Sequence, residues 1–415
     1  MDARASLTGT QFMTAIATPQ KKSASQTEFI IILSMMMALT ALSIDAMLPA
    51  LGIISSELQV SNPNDRQLIV TLIFFGQAVG QLFFGPLSDK TGRKPAIALG
   101  YSLFVAGAFV SYFSISFPMM LIGRALQGFG ISAPRALSLA LVRDKFEGRR
   151  MARIMSFVAT VFILIPMIAP SIGQGIIVLA GWRNIFTFFI VFALLTLAWF
   201  FLRVPETLAE ENRKPFSLRH IFDSTLAIIK IRTAIGYTIT IGLVQGVFLG
   251  YLNSSQQIFQ EQYALGERFP LFFAIISLSL GSASLLNSKL VMNYGMLDLV
   301  RWALNALVGM AFVFIGVAFA FDGLPPLWLL MVYLMASFFA IGILFGNINT
   351  LAMQPLGHLA GIGAAIIGSL STLLSTLLGM VIGQSYNGTI MPFMIGMIVL
   401  SSIAFFVNRW AAAAE

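Results

Sequence analysis

The chain has 415 residues, 58% of them hydrophobic and only 10% charged, with no cysteine and a formal net charge of +8. Soluble domains carry about 25% charged residues, so this composition predicts a membrane protein. The lack of cysteine excludes disulfides and thiolate chemistry, and both histidines, His220 and His358, lie in or next to predicted loops, so we expect no metal site. We attribute the basic charge to membrane topology and expect no nucleic acid partner.

Twelve apolar segments are long enough to cross a bilayer as helices. They are predicted at residues 28–48, 66–86, 95–116, 118–142, 153–180, 183–203, 232–256, 269–293, 297–321, 325–348, 358–386 and 390–409. Residues 1–27 are polar and are predicted to be a disordered cytoplasmic tail, and residues 204–231 form the only long connection. The predicted domains are therefore an N-terminal half at 28–203, a cytoplasmic linker at 204–231 and a C-terminal half at 232–409.

Charge asymmetry predicts the orientation of these spans. Of the 25 Lys and Arg residues, 20 fall on the side of the two termini, whereas Arg66, Arg183 and Arg268 fall on the other side. Loops rich in Lys and Arg face the cytoplasm, so both termini are predicted to be cytoplasmic. A weak internal repeat supports duplication, because Ser288-x-Leu290-x-x-x-x-Gly295 repeats the frame Gly85-x-Leu87-x-x-x-x-Gly92.

The loop between spans 2 and 3 carries an unusual charge pattern. It reads Gly85-Pro86-Leu87-Ser88-Asp89-Lys90-Thr91-Gly92-Arg93-Lys94-Pro95, whereas a plain connector needs only turn residues and some positive charge. This string resembles the loop between helices 2 and 3 of the major facilitator transporters. The resemblance implies that Gly85, Asp89, Gly92 and Arg93, together with Asp144 at the end of span 4, control a cytoplasmic gate. The alternative is that these charges only set topology.

Further strings narrow the resemblance to the twelve-span drug:proton antiporters. They are Arg124-x-x-Gln127-Gly128 in span 4, Gly181-Trp182-Arg183 before span 6, and Pro205-Glu206-Thr207 after it. Asp45-Ala46-Met47-Leu48-Pro49-Ala50-Leu51, Val142-Arg143-Asp144 and the end of span 7 are similar to the bicyclomycin-resistance (Bcr/CflA) branch. The resemblance covers residues 28–409. It implies an all-α fold of two pseudo-symmetric six-helix halves in the inner membrane.

Span 5 departs from the antiporter signature. The family pattern G-P-x-x-G-G reads here Ala169-Pro170-Ser171-Ile172-Gly173-Gln174, with a further proline at Pro166. Each proline removes one backbone hydrogen bond, so Pro166 and Pro170 are predicted to bend or loosen the helix. The resemblance assigns Pro166, Pro170 and Gly173 to an antiporter-type motif. The alternative is a kink that serves packing alone.

Three charged residues lie clearly inside predicted spans: Asp45 in span 1, and Arg124 and Arg135 in span 4. At 1.5 Å per residue, Asp45 and Arg124 lie about 6 and 9 Å below the outer edge of a 30 Å core, so we predict an ion pair. As the only carboxylate in the spans, Asp45 is predicted to couple proton movement, with Arg124 as its partner. Arg135 lies about 16 Å deeper and is left unpaired. The alternative is that Asp45 and Arg135 reach the interfaces.

Polar side chains on other spans are candidates for substrate binding. They are Gln77 and Gln81 in span 2 and Gln245, Tyr251, Asn253 and Gln256 in span 7, in addition to Asp45, Arg124 and Arg135. Hydrogen bonding between helices is the alternative for each. Because Arg135 leaves the span interior with a formal charge of +1, neutral or weakly anionic ligands are expected to be favoured over cations.

These features predict a secondary transporter that exports drugs in exchange for protons by alternating access. No P-loop pattern is present, so we expect no cofactor. We expect the proton gradient, and not ATP, to supply the energy for transport. Its expected partners are small drugs, protons and lipid, and it is expected to act as a monomer. A proton-coupled transporter of one metabolite, in uptake or export, is the alternative, with a channel less favoured because no filter is visible. An enzyme is not expected, because the spans offer one acid and no histidine or cysteine.

Overall fold

The computed structural model describes residues 24–414, without the side chains at 152, 156, 159, 160, 162, 163 and 358–360. Most of the predicted tail therefore lies outside the described residues, and helix begins within its last part, at Gln26. The described residues form helices joined by short loops, with no strand among them.

Twelve long helices correspond to the predicted spans. Spans 1 to 12 are Gln26–Asp45, Leu68–Thr91, Arg93–Tyr112, Phe117–Lys145, Gly148–Ala180, Arg183–Arg203, Arg232–Gln256, Phe269–Tyr294, Met296–Ala320, Leu327–Met353, Ala360–Gln384 and Met391–Ala412. Among described residues, 11 helices are long and apolar enough to cross a membrane, and span 5 contributes the shorter apolar stretch Leu164–Ala180. The predicted all-α membrane fold is confirmed.

Span 1 differs most from its predicted end. The helix stops at Asp45 and is followed by the tight turn Leu48–Ala50 and a second helix, Leu51–Glu57. Proline lacks a backbone N–H, so Pro49 cannot continue the hydrogen-bond ladder. Counted to Glu57, the apolar segment starting at Gln26 is 32 residues long. Asp45 therefore lies about 18 Å from its far end at 1.5 Å per residue, deeper than the sequence predicted.

Helix contacts fall into two groups. Spans 2 and 3 each pack on span 4, and span 1 packs on span 5. In the second group, span 7 packs on spans 11 and 12, and span 10 packs on spans 8 and 9. The two groups meet where span 2 contacts span 11 and span 5 contacts span 8.

The two glycines of the weak sequence repeat, Gly92 and Gly295, have similar backbone conformations. Gly92 has φ of 100° and Gly295 has φ of 77°, and each lies between two consecutive spans. The Gly92 N–H donates to Ser88 O at 3.0 Å, and the Gly295 N–H donates to Val291 O at 3.0 Å. Only glycine adopts this left-handed conformation without strain. The same turn therefore follows span 2 and span 8.

The linker between the two groups contains a short helix, Leu218–Lys230, which we call the linker helix. It packs against spans 7 and 11. Just before it, the Lys214 N–H donates to Asp89 O at 2.9 Å, which ties the linker to the loop between spans 2 and 3. We call this end of the molecule, with the linker and the loop around Arg93, the basic end, and the end near Arg66 the opposite end.

Candidate functional site

Asp45 is enclosed at the break in span 1. The residue is only 5% exposed, so its side chain is packed within the protein and does not extend to the membrane interface. The turn that follows it, Leu48–Ala50, contacts span 7 of the other helix group. The Tyr251 hydroxyl of span 7 interacts electrostatically with the Asp45 carboxyl. Asp45 therefore lies where the two helix groups meet.

The predicted ion pair between Asp45 and Arg124 is wrong for this structure. The Arg124 guanidinium donates to Ser43 O at 2.7 Å, to Ile69 O at 3.0 Å and to Gln127 Oε1 at 2.8 Å. Gln127 in turn donates to Ser111 Oγ at 3.0 Å. The helix break explains the difference, because Ser43 lies in the last turn of the helix, where carbonyls have no intrahelical partner. Arg124 binds that carbonyl and joins spans 1, 2 and 4.

Span 5 contacts the chain directly after Asp45. Pro166 and Pro170 lie inside a continuous helix, and Gly173 packs on the backbone of Ala46, directly after span 1. A Cβ atom added at Gly173 would lie 1.9 Å from Ala46 O, too close for any side chain. Of the predicted antiporter-type motif, Gly173 therefore lies where span 5 touches the chain after span 1.

A substitution of Gly173 by alanine is expected to displace span 1 and to destabilise the protein by about 1–3 kcal/mol, because overpacking forces the backbone to shift. Gly175→Ala is the matched control, since an added Cβ there meets nothing within 4 Å. Thermal unfolding of the detergent-purified variants measures the effect. Equal melting temperatures for the two variants would show that this contact is not tight.

Arg135 is paired with a neutral side chain. Its Nη1 donates to Gln77 Oε1 at 2.6 Å, and no described carboxylate lies within ion-pair distance. The Nε2 atoms of Gln77 and Gln81 are buried and have no hydrogen-bond partner among described groups. Gln81 faces span 11, where a Cβ at Gly368 would lie 2.5 Å from Gln81 Oε1. These three residues form one cluster rich in hydrogen-bond donors.

The predicted polar residues of span 7 separate into different environments. Tyr251 is 1% exposed and its hydroxyl has no partner among described groups, while its ring contacts Phe273, Phe338 and Phe393. Gln245 is half-buried. Asn253 and Gln256 lie two and five residues after Tyr251, toward the opposite end. The sequence therefore grouped residues that have different surroundings along the second half of the span.

At the opposite end, polar contacts join the two helix groups. Asn253 Oδ1 accepts from Thr71 Oγ1 at 3.5 Å, and Gln67 donates to Gln257. Asn64 Nδ2 donates to Gln384 O at 2.9 Å, and its Oδ1 accepts from Gln257 Nε2 at 2.8 Å. We call this network the end lock.

The central ion pair of the end lock joins Arg66 and Glu261. Arg66 Nη2 donates to Glu261 Oε2 at 3.0 Å, and Nη1 bonds the second carboxylate oxygen. The Arg66 side chain is 7% exposed and that of Glu261 is 45% exposed. The sequence places Arg66 on the side opposite the termini but does not predict this pairing. The partners are 195 residues apart, and neither belongs to a motif.

At the basic end, the structure brings together the three predicted gate charges. Arg93 Nη1 donates to Asp89 Oδ1 at 2.6 Å, and Arg93 Nε donates to Asp144 Oδ2 at 2.8 Å. Arg93 Nη1 also donates to Ser88 Oγ at 2.7 Å. One buried guanidinium thus holds the end of span 2, the start of span 3 and the end of span 4.

Glu206 and Thr207 complete this cluster and were missing from the predicted site. Glu206 accepts from the backbone N–H groups of Arg93 and Lys94 at 2.9 Å each, and from those of Thr207 and Leu208. Burial raises the pKa of Glu206, but these four donors outweigh it and the net pKa is lowered. The sequence feature that could have indicated Glu206 is the string Pro205-Glu206-Thr207, which places an acidic residue directly after span 6.

The two acids of the cluster are expected to differ in importance. Asp144 also accepts from Thr207 Oγ1 and its side chain is 17% exposed, whereas the Asp89 side chain is 46% exposed. We expect Asp144→Asn to weaken closure of the basic end by about 1–3 kcal/mol and Asp89→Asn by less than about 1 kcal/mol. Spectroscopic distances between labels on the two halves at this end measure closure. A larger opening in Asp89→Asn would contradict this order.

The sequence matches the family model described as Major Facilitator Superfamily over residues 28–380. The chain belongs to this superfamily, and it is a multi-pass membrane transporter rather than an enzyme. An MFS-type transporter named YdgK from Bacillus subtilis strain 168 is 30% identical, covering 90% of this chain and 94% of that protein. A protein named bicyclomycin resistance protein homolog from Haemophilus influenzae is 29% identical, covering 91% and 95%. These relatives confirm the predicted resemblance.

More distant relatives and solved structures agree with the fold. A protein named multidrug resistance protein MdtL from Vibrio parahaemolyticus is 26% identical, covering 79% of this chain and 81% of that protein. The xylose transporter XylE from E. coli superposes with a TM-score of 0.72 at 16% identity, covering 92% of this chain and 96% of that one. The human organic anion transporter MFSD10 gives 0.69 at 18% identity, covering 93% and 100%. At these identities the two structures support the fold alone.

Proposed function

We propose that this protein exports small neutral or weakly anionic drugs in exchange for protons. The observation that carries the proposal is Asp45, a carboxyl group enclosed where the two helix groups meet. No described cation lies within ion-pair distance of it. Such groups are costly in membrane proteins and mark proton or substrate pathways. The names of the relatives, bicyclomycin resistance and multidrug resistance, support drugs as the substrate class.

The basic end is assigned to the cytoplasm, because loops rich in Lys and Arg remain on that side. In this orientation the protein lies in the inner membrane, and the end lock closes its outer side. Apart from Ser369 Oγ donating to Ala78 O at 2.7 Å, every described hydrogen bond between the helix groups is in the end lock. Export then requires this lock to break and the inner side, where the Arg93 cluster lies, to close.

Coupling follows from the position of Asp45 on the broken span 1. Opening the outer side separates the turn Leu48–Ala50 from span 7 and moves Tyr251 away from the Asp45 carboxylate. The surroundings of a carboxyl group determine which of its protonation states is favoured. The pH at which Asp45 gains or loses its proton would therefore differ between the two states. A drug that binds one state better shifts the same equilibrium, as antiport requires.

Substrate selection is assigned to the cluster of Arg135, Gln77 and Gln81. It contains two buried amide nitrogens without a hydrogen-bond partner among described groups, and a guanidinium without a carboxylate partner. Carbonyl, sulfonyl or carboxylate oxygens on a drug would accept from these donors. A dication would meet unfavourable charge from Arg135 in a low-dielectric environment.

Replacing Arg135 with alanine is expected to reduce export of neutral and weakly acidic drugs and to improve the relative export of cations. A resistance panel in a host that lacks other pumps compares wild type, Arg135→Ala and the exposed control Arg301→Ala. An unchanged ranking of drugs in Arg135→Ala would show that this arginine does not select the substrate. Cations as the best wild-type substrates would contradict the proposed drug class.

Transport by purified protein in vesicles tests the proposed function. An imposed pH gradient should drive drug movement, and a protonophore that collapses the gradient should stop it. Drug movement that is equal with and without the gradient would rule out proton coupling and favour a channel or a uniporter.

A further inference from the structure

The linker helix Leu218–Lys230 has an exposed apolar stripe. Leu218, Phe222, Leu226 and Ile229 are 70%, 63%, 41% and 44% exposed. Their spacing of three and four residues places them on one side of the helix, because an α-helix has 3.6 residues per turn. A stripe of four large apolar side chains in water would be unfavourable.

The other two sides of this helix have different surroundings. Ser224 and Ile228 are buried, at 4% and 0% exposure, on the side that packs against spans 7 and 11. Arg219 and Asp223 form a third side, with side chains 91% and 61% exposed. The helix therefore has one side for protein, one for an apolar medium and one for water.

The connection to span 7 fixes the height of the linker helix relative to the membrane. It ends at Lys230 and span 7 begins at Arg232, so only Ile231 separates the two. Ile231 has φ of −84° and ψ of 104°, an extended conformation that turns the chain between the two helices. The end of the linker helix is therefore held where span 7 enters the bilayer.

We propose that the linker helix lies in the membrane interface, with its apolar stripe inserted among lipids and its charged side in water. Its partner is the bilayer itself, and anionic headgroups suit it best. Residues 213–232 contain Arg213, Lys214, Arg219, Lys230 and Arg232 against the single acid Asp223. Basic amphipathic helices bind anionic membrane surfaces through buried apolar area combined with charge attraction.

The linker helix would then connect lipid to the gate cluster. The chain just before it donates a hydrogen bond from Lys214 N–H to Asp89 O, and the Phe216 ring lies 5.9 Å from the Phe83 ring of span 2. A helix anchored in the interface keeps this connection at a fixed height while the spans move. This placement of the linker helix is independent of the transported drug and of proton coupling.

Spin labelling tests this placement directly, because the chain contains no cysteine and each single-cysteine variant carries one label. Labels at Phe222→Cys and Leu226→Cys report the apolar stripe, and labels at Arg219→Cys and Asp223→Cys are matched controls on the charged side. In vesicles with anionic lipid, the stripe positions should be accessible to oxygen and protected from a water-soluble nickel complex. The control positions should show the reverse.

Other outcomes would overturn the proposal. Nickel accessibility at the stripe equal to that at the controls places the stripe in water. Protection from both reagents, with spin–spin broadening between molecules, places a second copy on it. If Phe222→Cys does not fold, Leu218→Cys and Ile229→Cys report the same stripe. Oxygen accessibility that is the same in neutral and anionic vesicles would contradict the role of the basic residues.

Discussion

Asp45→Asn is expected to abolish drug export driven by a pH gradient, down to the level of protein-free vesicles, while the protein still folds. Asparagine has nearly the volume of aspartate, so the enclosed site at the break in span 1 keeps its packing. It cannot take up or release a proton, so the transport cycle loses its connection to the gradient. Gradient-driven transport and gradient-independent drug exchange, measured in the same vesicles, separate loss of coupling from loss of the transporter.

The matched control for this prediction is Asp298→Asn. Asp298 is a carboxylate at the end of a span, in the first turn of span 9, where its side chain is 50% exposed and pairs with Arg301 at 3.6 Å. Its neutralisation should leave gradient-driven export close to wild type. Undiminished export by Asp45→Asn at equal expression would remove Asp45 from the coupling mechanism.

Glu261→Gln is expected to shift the protein toward an open outer side. The variant leaves the guanidinium of Arg66, whose side chain is 7% exposed, without its charged partner. Glu261 is 45% exposed, so the loss is smaller than for a fully buried pair, about 1–2 kcal/mol. Such a change corresponds to about a five- to thirtyfold change in the ratio of states. Distances between labels placed across the end lock, measured by pulsed electron resonance, report the shift.

The control is Glu57→Gln, which breaks an ion pair at the same end but inside one helix group. Glu57 pairs with Arg183, and their side chains are 46% and 34% exposed. Because both partners move together when the two groups separate, this variant should leave the distribution of distances unchanged. Equal shifts in both variants would indicate general loosening, and an unchanged distribution in Glu261→Gln would show that the ion pair does not hold the outer side closed.

Local signals predicted the fold and part of the site. Long apolar segments defined the spans within a few residues, because length and hydropathy alone determine where a helix crosses a bilayer. The charges Asp89, Arg93 and Asp144 could be grouped because a recognisable string placed them at one end of the molecule. Glu206 belonged to a quoted string, but the number of N–H groups around its carboxylate depends on how the chain folds back toward Arg93.

Contacts that depend on exact depth could not be predicted. The pairing of Asp45 with Arg124 assumed a straight span 1, whereas the helix stops at Asp45 and frees a carbonyl that attracts Arg124. The end lock joins residues of the two halves that are far apart in the sequence and belong to no common pattern. Helical spacing alone also could not show that Asn253 and Gln256 lie near the end of span 7 and not in its interior.

Proton release on drug binding tests the central claim most directly. Purified protein in weakly buffered detergent solution, with a pH-sensitive dye, is mixed with each member of a panel of neutral, weakly acidic and cationic drugs. We predict that wild-type protein releases protons when it binds neutral or weakly acidic drugs, and that Asp45→Asn binds the same drugs without release. Binding by the wild type without proton release, or undiminished release by Asp45→Asn, would contradict the account.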